Sequence, residues 1–246
     1  MSQEPRTVAI IQARLGSTRL PGKVLRDIAG KTMIQRVVER VQQANTLDEI
    51  VIATTNEPAD QELVDFCESQ SWNVFTGSEY DVLDRYVKTA KEYSADRIVR
   101  ITSDCPLIEP TIIDQVVNSL GHHDYACNFH PLRRFPQGLD CEILTRSTLE
   151  KIDQLANQQR YREHVTLYVY RNEARFSIGS VLCEEDFSHL RWTVDTPDDL
   201  ELVRTIYEYF EQSLGESNFT WEQIVTACQS HPEWQAINQH TKQKVA

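Results

Sequence analysis

The chain is 246 residues long and 40% hydrophobic, with a formal net charge of −12. That length and apolar share suit one domain with a sizeable core, and the acidic balance excludes non-specific nucleic-acid binding, which needs a basic face against phosphate. No apolar run is long enough to cross a membrane, residues 1–6 lack the apolar stretch of a secretory leader, and the six cysteines form no C-x-x-C pair, so they read as reduced thiols of a cytosolic protein.

Taken in order, apolar runs alternate with amphipathic segments. Residues 8–11 predict a buried strand. Residues 32–43 carry Met33, Ile34, Val37, Val38 and Val41 at helical spacing. Residues 49–54 predict a second strand, 58–69 a helix opened by Pro58, 73–75 a short strand and 80–93 a helix. Residues 97–102 predict a fourth strand and 110–120 a further helix. This βαβα rhythm argues for an α/β protein with a mostly parallel sheet covered on both faces. Right-handed crossovers then align the strand C-terminal ends along one edge, where ligands of such sheets bind.

The rhythm breaks after residue 121. Residues 124–129 and 139–145 read as strands around an irregular loop at 130–138. Residues 146–156 read as a helix, and 160–171 are ambiguous, because Val165, Leu167 and Val169 alternate over a length that suits a helix. Residues 176–182 predict a strand, 198–209 and 219–228 helices, and the segment from Gln239 a polar, mobile tail.

The chemistry concentrates just after the first strand, in Gln12-Ala13-Arg14-Leu15-Gly16-Ser17-Thr18-Arg19-Leu20-Pro21-Gly22-Lys23. Gly16 and Gly22 permit tight turns that expose backbone N–H groups. Arg14, Arg19 and Lys23 place three cations in a short stretch of an acidic protein, a cradle for a polyphosphate unless it is only a basic surface turn. The spacing fits neither G-x-G-x-x-G nor the P-loop. Two aspartates follow later. Asp104 stands at the end of the fourth strand before Cys105-Pro106, and Asp195 stands in Val194-Asp195-Thr196-Pro197. Each is also in a position to serve a turn or helix cap, and Thr196 with Asp199 is a capping-box start.

The string A-R-x-G-S-x-R-L-P-G-K, with Gly30-Lys31-Thr32-Met33-Ile34, Asp104-Cys105-Pro106-Leu107, the run from His164 to Arg171 and Val194-Asp195-Thr196-Pro197, resembles the cytidylyltransferases that make CMP-activated acidic sugars. It is most similar to the branch named after spore-coat polysaccharide biosynthesis, over most of residues 7–210. The resemblance implies a three-layer Rossmann-like fold of the nucleotide-diphospho-sugar transferase type. It implies one nucleotidyltransferase domain over 1–246, with residues 121–183 as an insertion that shapes the acceptor pocket and pairs two subunits. The implied reaction transfers CMP from CTP to an acidic sugar or phosphonate-like acceptor with release of pyrophosphate, in a cytoplasmic homodimer.

Such a transfer needs no protein nucleophile, only positioning and charge neutralisation. Arg14, Lys23 and Asp104 are the implied catalytic residues, and Asp104 and Asp195 the implied ligands of Mg²⁺. Ser103 stands where related synthetases often carry Gly. The nucleotide set comprises Ala13, Arg14, Gly16, Ser17, Arg19, Lys23, Thr55, Asn56, Ser78 and Thr102. Arg19 alternatively makes a structural salt bridge. Ser78 is the candidate for reading the base, and Arg85 alternatively makes a surface ion pair. The acceptor set comprises Asp140, Glu142, Arg162 and His164, of which the two acids alternatively form a solvated face. Arg133 and Arg134 attract an anion or coat a loop, and His122-His123 read as surface. Two other classes compete with this one. A metal-dependent glycosyltransferase should carry D-x-D, which Ser103-Asp104-Cys105 is not. A non-catalytic nucleotide sensor has no need of both aspartates.

Overall fold

Strand β1 (Thr7–Gln12) shows why the sheet is covered twice. Val8 and Ile10 enter one core and Ala9 and Ile11 the other, and all four are fully buried. Successive side chains of a strand face opposite ways, so an unbroken apolar run needs a layer on each side. The structure, a computed structural model, describes residues 4–215 and 218–241. The first three residues of the leader reading and residues 242–246 of the expected mobile tail lie outside the described residues.

After β1 and its loop, a two-residue hairpin, β2 (Asp27–Ile28) and β3 (Lys31–Thr32), precedes α1 (Met33–Val41), which Thr32 and Gln35 start with reciprocal capping bonds. The hairpin is too short for periodicity to reveal. Next come β4 (Glu49–Thr55), a 3-10 turn (Pro58–Asp60), α2 (Gln61–Ser69), β5 (Asn73–Gly77), α3 (Val82–Glu92), β6 (Arg97–Thr102) and α4 (Pro110–Ser119). Strands β7 (Tyr125–Cys127) and β8 (Glu142–Thr145) flank the irregular loop. They are followed by α5 (Arg146–Leu155), α6 (Gln159–Glu163), α7 (Leu167–Tyr170) and β9 (Ile178–Ser180). Helices α8 (Pro197–Leu214), α9 (Trp221–Ser230) and α10 (Glu233–Asn238) complete the described chain. Helix α8 outruns its expected end and stops at Gly215, in the left-handed conformation that commonly ends helices. The sequence reading did not anticipate α10.

Among the described residues seven strands form one sheet in the order β5-β4-β1-β6-β8-β7-β9, with β8 alone running against the others. This is the expected α/β architecture with a mostly parallel sheet. Helices α1, α2, α4, α8 and α9 cover one face, and α3, α5, α6 and α7 the other. Part of the segment 121–183 is built into the main sheet. Tyr125, Cys127 and Leu144 bury into the α3 side while Ala126 and Ile143 bury into the other, so β7 and β8 extend the main sheet.

The ambiguous segment 160–171 is two short helices parted by Val165. Its φ of 44° is a left-handed value that a β-branched residue rarely adopts. Val165 to Val169 are all buried, Thr166 and Tyr168 included, so the alternation of Val165, Leu167 and Val169 in the sequence marks no one-sided strand. All six cysteines are free thiols, five of them buried.

Register fixes where the site must lie. Gln12 at the end of β1 pairs with Ala53 on β4 and Thr102 on β6. The loops after these three strands therefore leave the sheet side by side.

Candidate active site

The basic loop is tied down from beneath. Buried Asp60 accepts the Leu15 N–H at 2.6 Å and also the Thr55 hydroxyl. The Gly22 N–H returns to the Leu15 carbonyl at 3.0 Å, and the Ser17 hydroxyl accepts the Leu20 N–H at 3.3 Å. Gly22 has φ 66°, the left-handed region that favours glycine, whereas Gly16 does not occupy it. The turn at Gly22 delivers Lys23 onto a 3-10 turn (Lys23–Leu25), where its side chain runs inward and is almost wholly buried.

There Lys23 meets both distant acids. Its Nζ lies 3.0 Å from Asp195 Oδ1 and 3.3 Å from Asp104 Oδ2, and donates to the Val194 carbonyl at 2.7 Å. Arg19 Nη2 stands 2.9 Å from the same Asp195 Oδ1, and Arg191 Nη2 stands 3.0 Å from Oδ2. The two motif segments are also joined through backbone. The Asp104 carbonyl accepts the Val194 N–H at 2.8 Å and the Thr193 hydroxyl at 3.1 Å. Behind Asp195, Asp199 takes the Asp195 and Thr196 N–H groups at 3.0 Å each, binds Arg191 at 2.9 Å and accepts the Asn238 amide at 2.9 Å. Thr196 caps α8 in a reciprocal box with Asp199 while the Asp195 side chain faces the cleft, so capping and cleft roles coexist in one motif.

Burial opposes the charge of Asp104, yet the Lys23 ammonium and a hydrogen bond from Thr102 hold its carboxyl below the usual carboxylate range. Burial likewise opposes the charge of Lys23, and Asp104 and Asp195 more than offset it, so its pKa is raised. Asp199 is also held low, against its burial, by Arg191 and Asn238. Carboxyls depressed in the native state give stability that is complete above the unfolded carboxylate range and lost as pH falls through their lower native values. The urea midpoint is therefore expected to fall below about pH 4, and Asp199→Asn to flatten that acid limb. An acid limb unchanged in the variant would remove Asp199 from the linkage.

Two carboxylates already converge on one cation, the Lys23 ammonium, and their oxygen-only chemistry is that of a hard divalent ion such as Mg²⁺. Among the described residues no group of three or more His, Cys, Asp or Glu could hold a metal. The remaining ligands of such an ion would be water and substrate oxygens.

Ala13, Arg14, Gly16, Ser17, Arg19, Lys23, Thr102, Asp104, His164 and Asp195 all line one cleft of about 360 Å³. The predicted residues from four separate stretches of sequence thus meet at the expected strand edge. A profile of the cytidylyltransferase family matches residues 8–242. The chain belongs to the cytidylyltransferase family. As such it is a CTP-dependent nucleotidyltransferase. It is 33% identical to the spore coat polysaccharide biosynthesis protein SpsF of Bacillus subtilis, over 91% of this chain and 94% of that one. It is 41% identical to the 3-deoxy-manno-octulosonate cytidylyltransferase of Geobacter sulfurreducens, over 71% of each. A solved cytidylyltransferase structure from Leptospira borgpetersenii superimposes with a TM-score of 0.89 at 32% identity, over 98% of this chain and all of that one. The glycosyltransferase reading is not favoured.

Other predicted site residues of this cytidylyltransferase lie elsewhere. The Thr55 hydroxyl is spent on Asp60 beneath the loop, and Asn56 is exposed outside the cleft. The Ser78 hydroxyl accepts the Asp81 N–H at 3.1 Å, a local turn bond at the start of α3. Arg162 binds Asp81 and Asp153 at 2.8 and 2.7 Å and so fastens α6 to the start of α3 and to α5. Asp140 and Glu142 line a smaller pocket of about 200 Å³ rather than a solvated face. Each is taken by an arginine, Asp140 by Arg133 and Glu142 by Arg100. Glu142 also accepts the Tyr125 and Thr166 hydroxyls at 2.6 and 2.5 Å, which leaves it no role as a free acceptor ligand. Arg134 donates to the Cys183 carbonyl at 3.0 Å, and His122 and His123 are exposed as expected.

Two arginines of the cytidylyltransferase cleft stand outside the predicted site set. Arg85 is not a surface ion pair. It is 2% exposed, bonds the Ser78 carbonyl at 2.7 Å and lines the cleft, and burial lowers its pKa. Arg100 also lines the cleft, from the middle of β6. Its signal was present in the sequence as a charge inside a strand of an otherwise doubly buried sheet.

Proposed function

We propose that the enzyme transfers CMP from CTP to a hydroxyl of an acidic sugar, with release of pyrophosphate, in the biosynthesis of a surface polysaccharide. The observation that carries this reading is the meeting of Asp104 and Asp195 around one cation, in the same cleft as Arg14 and Arg19. The names of the B. subtilis and G. sulfurreducens relatives support the acceptor class and the polysaccharide setting.

In this reading Arg14 and Arg19 grip phosphate oxygens, and Lys23 leaves its carboxylates to meet the triphosphate as a compact charge. Asp104 and Asp195 would hold Mg²⁺. When bound, that ion would neutralise phosphate charge and polarise the α-phosphorus. The cleft orients the acceptor hydroxyl for in-line attack on that phosphorus; the new P–O bond forms as the hydroxyl proton passes to water, and the P–O bond to the β-phosphate breaks as pyrophosphate leaves. His164 lines the acceptor side. Burial lowers its pKa, so the neutral imidazole is the form that meets the acceptor at neutral pH. A homodimer in the cytoplasm completes the proposal, and light scattering that finds only monomer at micromolar concentration removes the dimer.

Pyrophosphate release is the direct test, with each of the four ribonucleoside triphosphates, Mg²⁺ and a panel of sugar acids. Release with CTP is expected. Release with UTP or GTP but not with CTP would end the cytidylyl assignment.

A further inference from the structure

The cleft and the smaller pocket beside it share two lining residues, Arg100 and Thr102. An acceptor in the smaller pocket that presents a hydroxyl to a nucleotide in the cleft must pass this seam. We propose that Arg100 receives the acceptor's carboxylate there and selects acidic over neutral sugars. This rests on the cytidylyl-transfer reading above and names the residue that decides its substrate class.

The guanidinium is fixed but not filled. One terminal nitrogen pairs with Glu142 and the other donates to Gln12 Oε1 at 3.0 Å. Its Nε is buried and has no hydrogen-bond partner among the described residues. A guanidinium has five N–H groups, so donors remain for an incoming anion. The side chain is 15% exposed, enough to be reached from the seam. Glu142 is itself anchored by Tyr125 and Thr166, so Arg100 stands at a fixed point instead of sampling the cleft.

The neighbours do not compete for the role. Arg133 lines only the smaller pocket and not the cleft, so it does not stand at the seam, and both its terminal nitrogens are turned to Asp140. Tyr170 has its pKa pushed up to about 12, by burial first and then by Glu142, and is a neutral donor. With Asp140 and Glu142 each consumed by an arginine, the smaller pocket offers an acid no net repulsion. A carboxylate brought beside a triphosphate does meet repulsion, and Arg100, its charge already balanced by Glu142, holds it there by charge-assisted hydrogen bonds from its unused N–H groups and not by net charge.

Arg100→Gln alone strands a buried Glu142, so the working variant is the pair Arg100→Gln/Glu142→Gln, with Arg100→Lys beside it. The assay is pyrophosphate release from CTP with a panel of sugar acids and their methyl esters, 3-deoxy-manno-octulosonate among them. Calorimetric CTP affinity reports an intact cleft. In the pair variant the acid KM is expected to rise about 30- to 100-fold, the size of a lost charge-assisted hydrogen bond. The preference for acid over ester should vanish with it, while CTP affinity holds. Arg100→Lys keeps the charge and should restore part of the preference. An unchanged acid KM and preference overturn the proposal, and so does a loss confined to CTP affinity, which would assign Arg100 to the nucleotide. Wild-type enzyme that releases no pyrophosphate from CTP with any acid of the panel overturns the cytidylyl reading itself, and this one with it.

Discussion

Asp104→Asn is expected to lower kcat for pyrophosphate release by about 10³-fold, some 4 kcal/mol of transition-state stabilisation. The substitution keeps the shape of the side chain and removes its charge. Asp104 is one of two carboxylates paired with the Lys23 ammonium, which would then retain only Asp195. The fold should tolerate the change. Asp104 is half-buried, and its backbone carbonyl, which pins Thr193 and Val194, is untouched. At neutral pH the urea midpoint is therefore expected to fall only by the stability that the depressed carboxyl supplies, while turnover collapses. Wild-type turnover in a folded Asp104→Asn protein would remove the two-carboxylate centre from the reaction. A collapse of both turnover and midpoint would make the residue a structural strut.

What the sequence disclosed follows from how locally each feature is encoded. The apolar run at residues 8–11 and the helical spacing of Val37, Val38 and Val41 are short-range signals, and the elements they announce are present. Parallel strands place successive loops on one edge, so topology alone brings the basic loop and Asp104 together, whereas Asp195 follows no predicted strand and joins them only through the family resemblance. Pairing partners are a different matter. Glu142 carries the same letters whether it meets a sugar or an arginine, and only the antiparallel register of β6 against β8 sets it opposite Arg100. Arg162 and Arg85 exchanged their expected roles for the same reason. The buried one lines the cleft, and the one drawn from the acceptor motif fastens helices. The left-handed turn at Val165 defeats periodicity outright, because it splits the segment into two short helices and the whole run from Val165 to Val169 is buried, so neither a helical nor a strand period marks it.

Lys23→Met should separate two things that one lysine does. In the native protein the Lys23 ammonium sits between Asp104 and Asp195, so a divalent ion arriving alone must displace a buried cation held by two carboxylates and the Val194 carbonyl. Removing the ammonium frees that position. Free Mn²⁺, followed by its electron-spin signal without nucleotide, is expected to bind Lys23→Met more tightly than the parent protein. Turnover with CTP should move the other way and fall at least ~10²-fold, because the triphosphate loses a positioned charge. The acid limb of stability should shift as well. Without Lys23 the Asp104 carboxyl loses the principal partner that depresses it against burial, so its native pKa rises and the stability it contributes above the carboxylate range shrinks. Methionine preserves most of the buried stem volume, which limits the packing loss. Weaker Mn²⁺ binding in the variant would mean that the lysine helps to hold the ion instead of keeping its place. Undiminished turnover would take Lys23 out of the triphosphate cradle, and leave Arg14 and Arg19 to carry the phosphate charge.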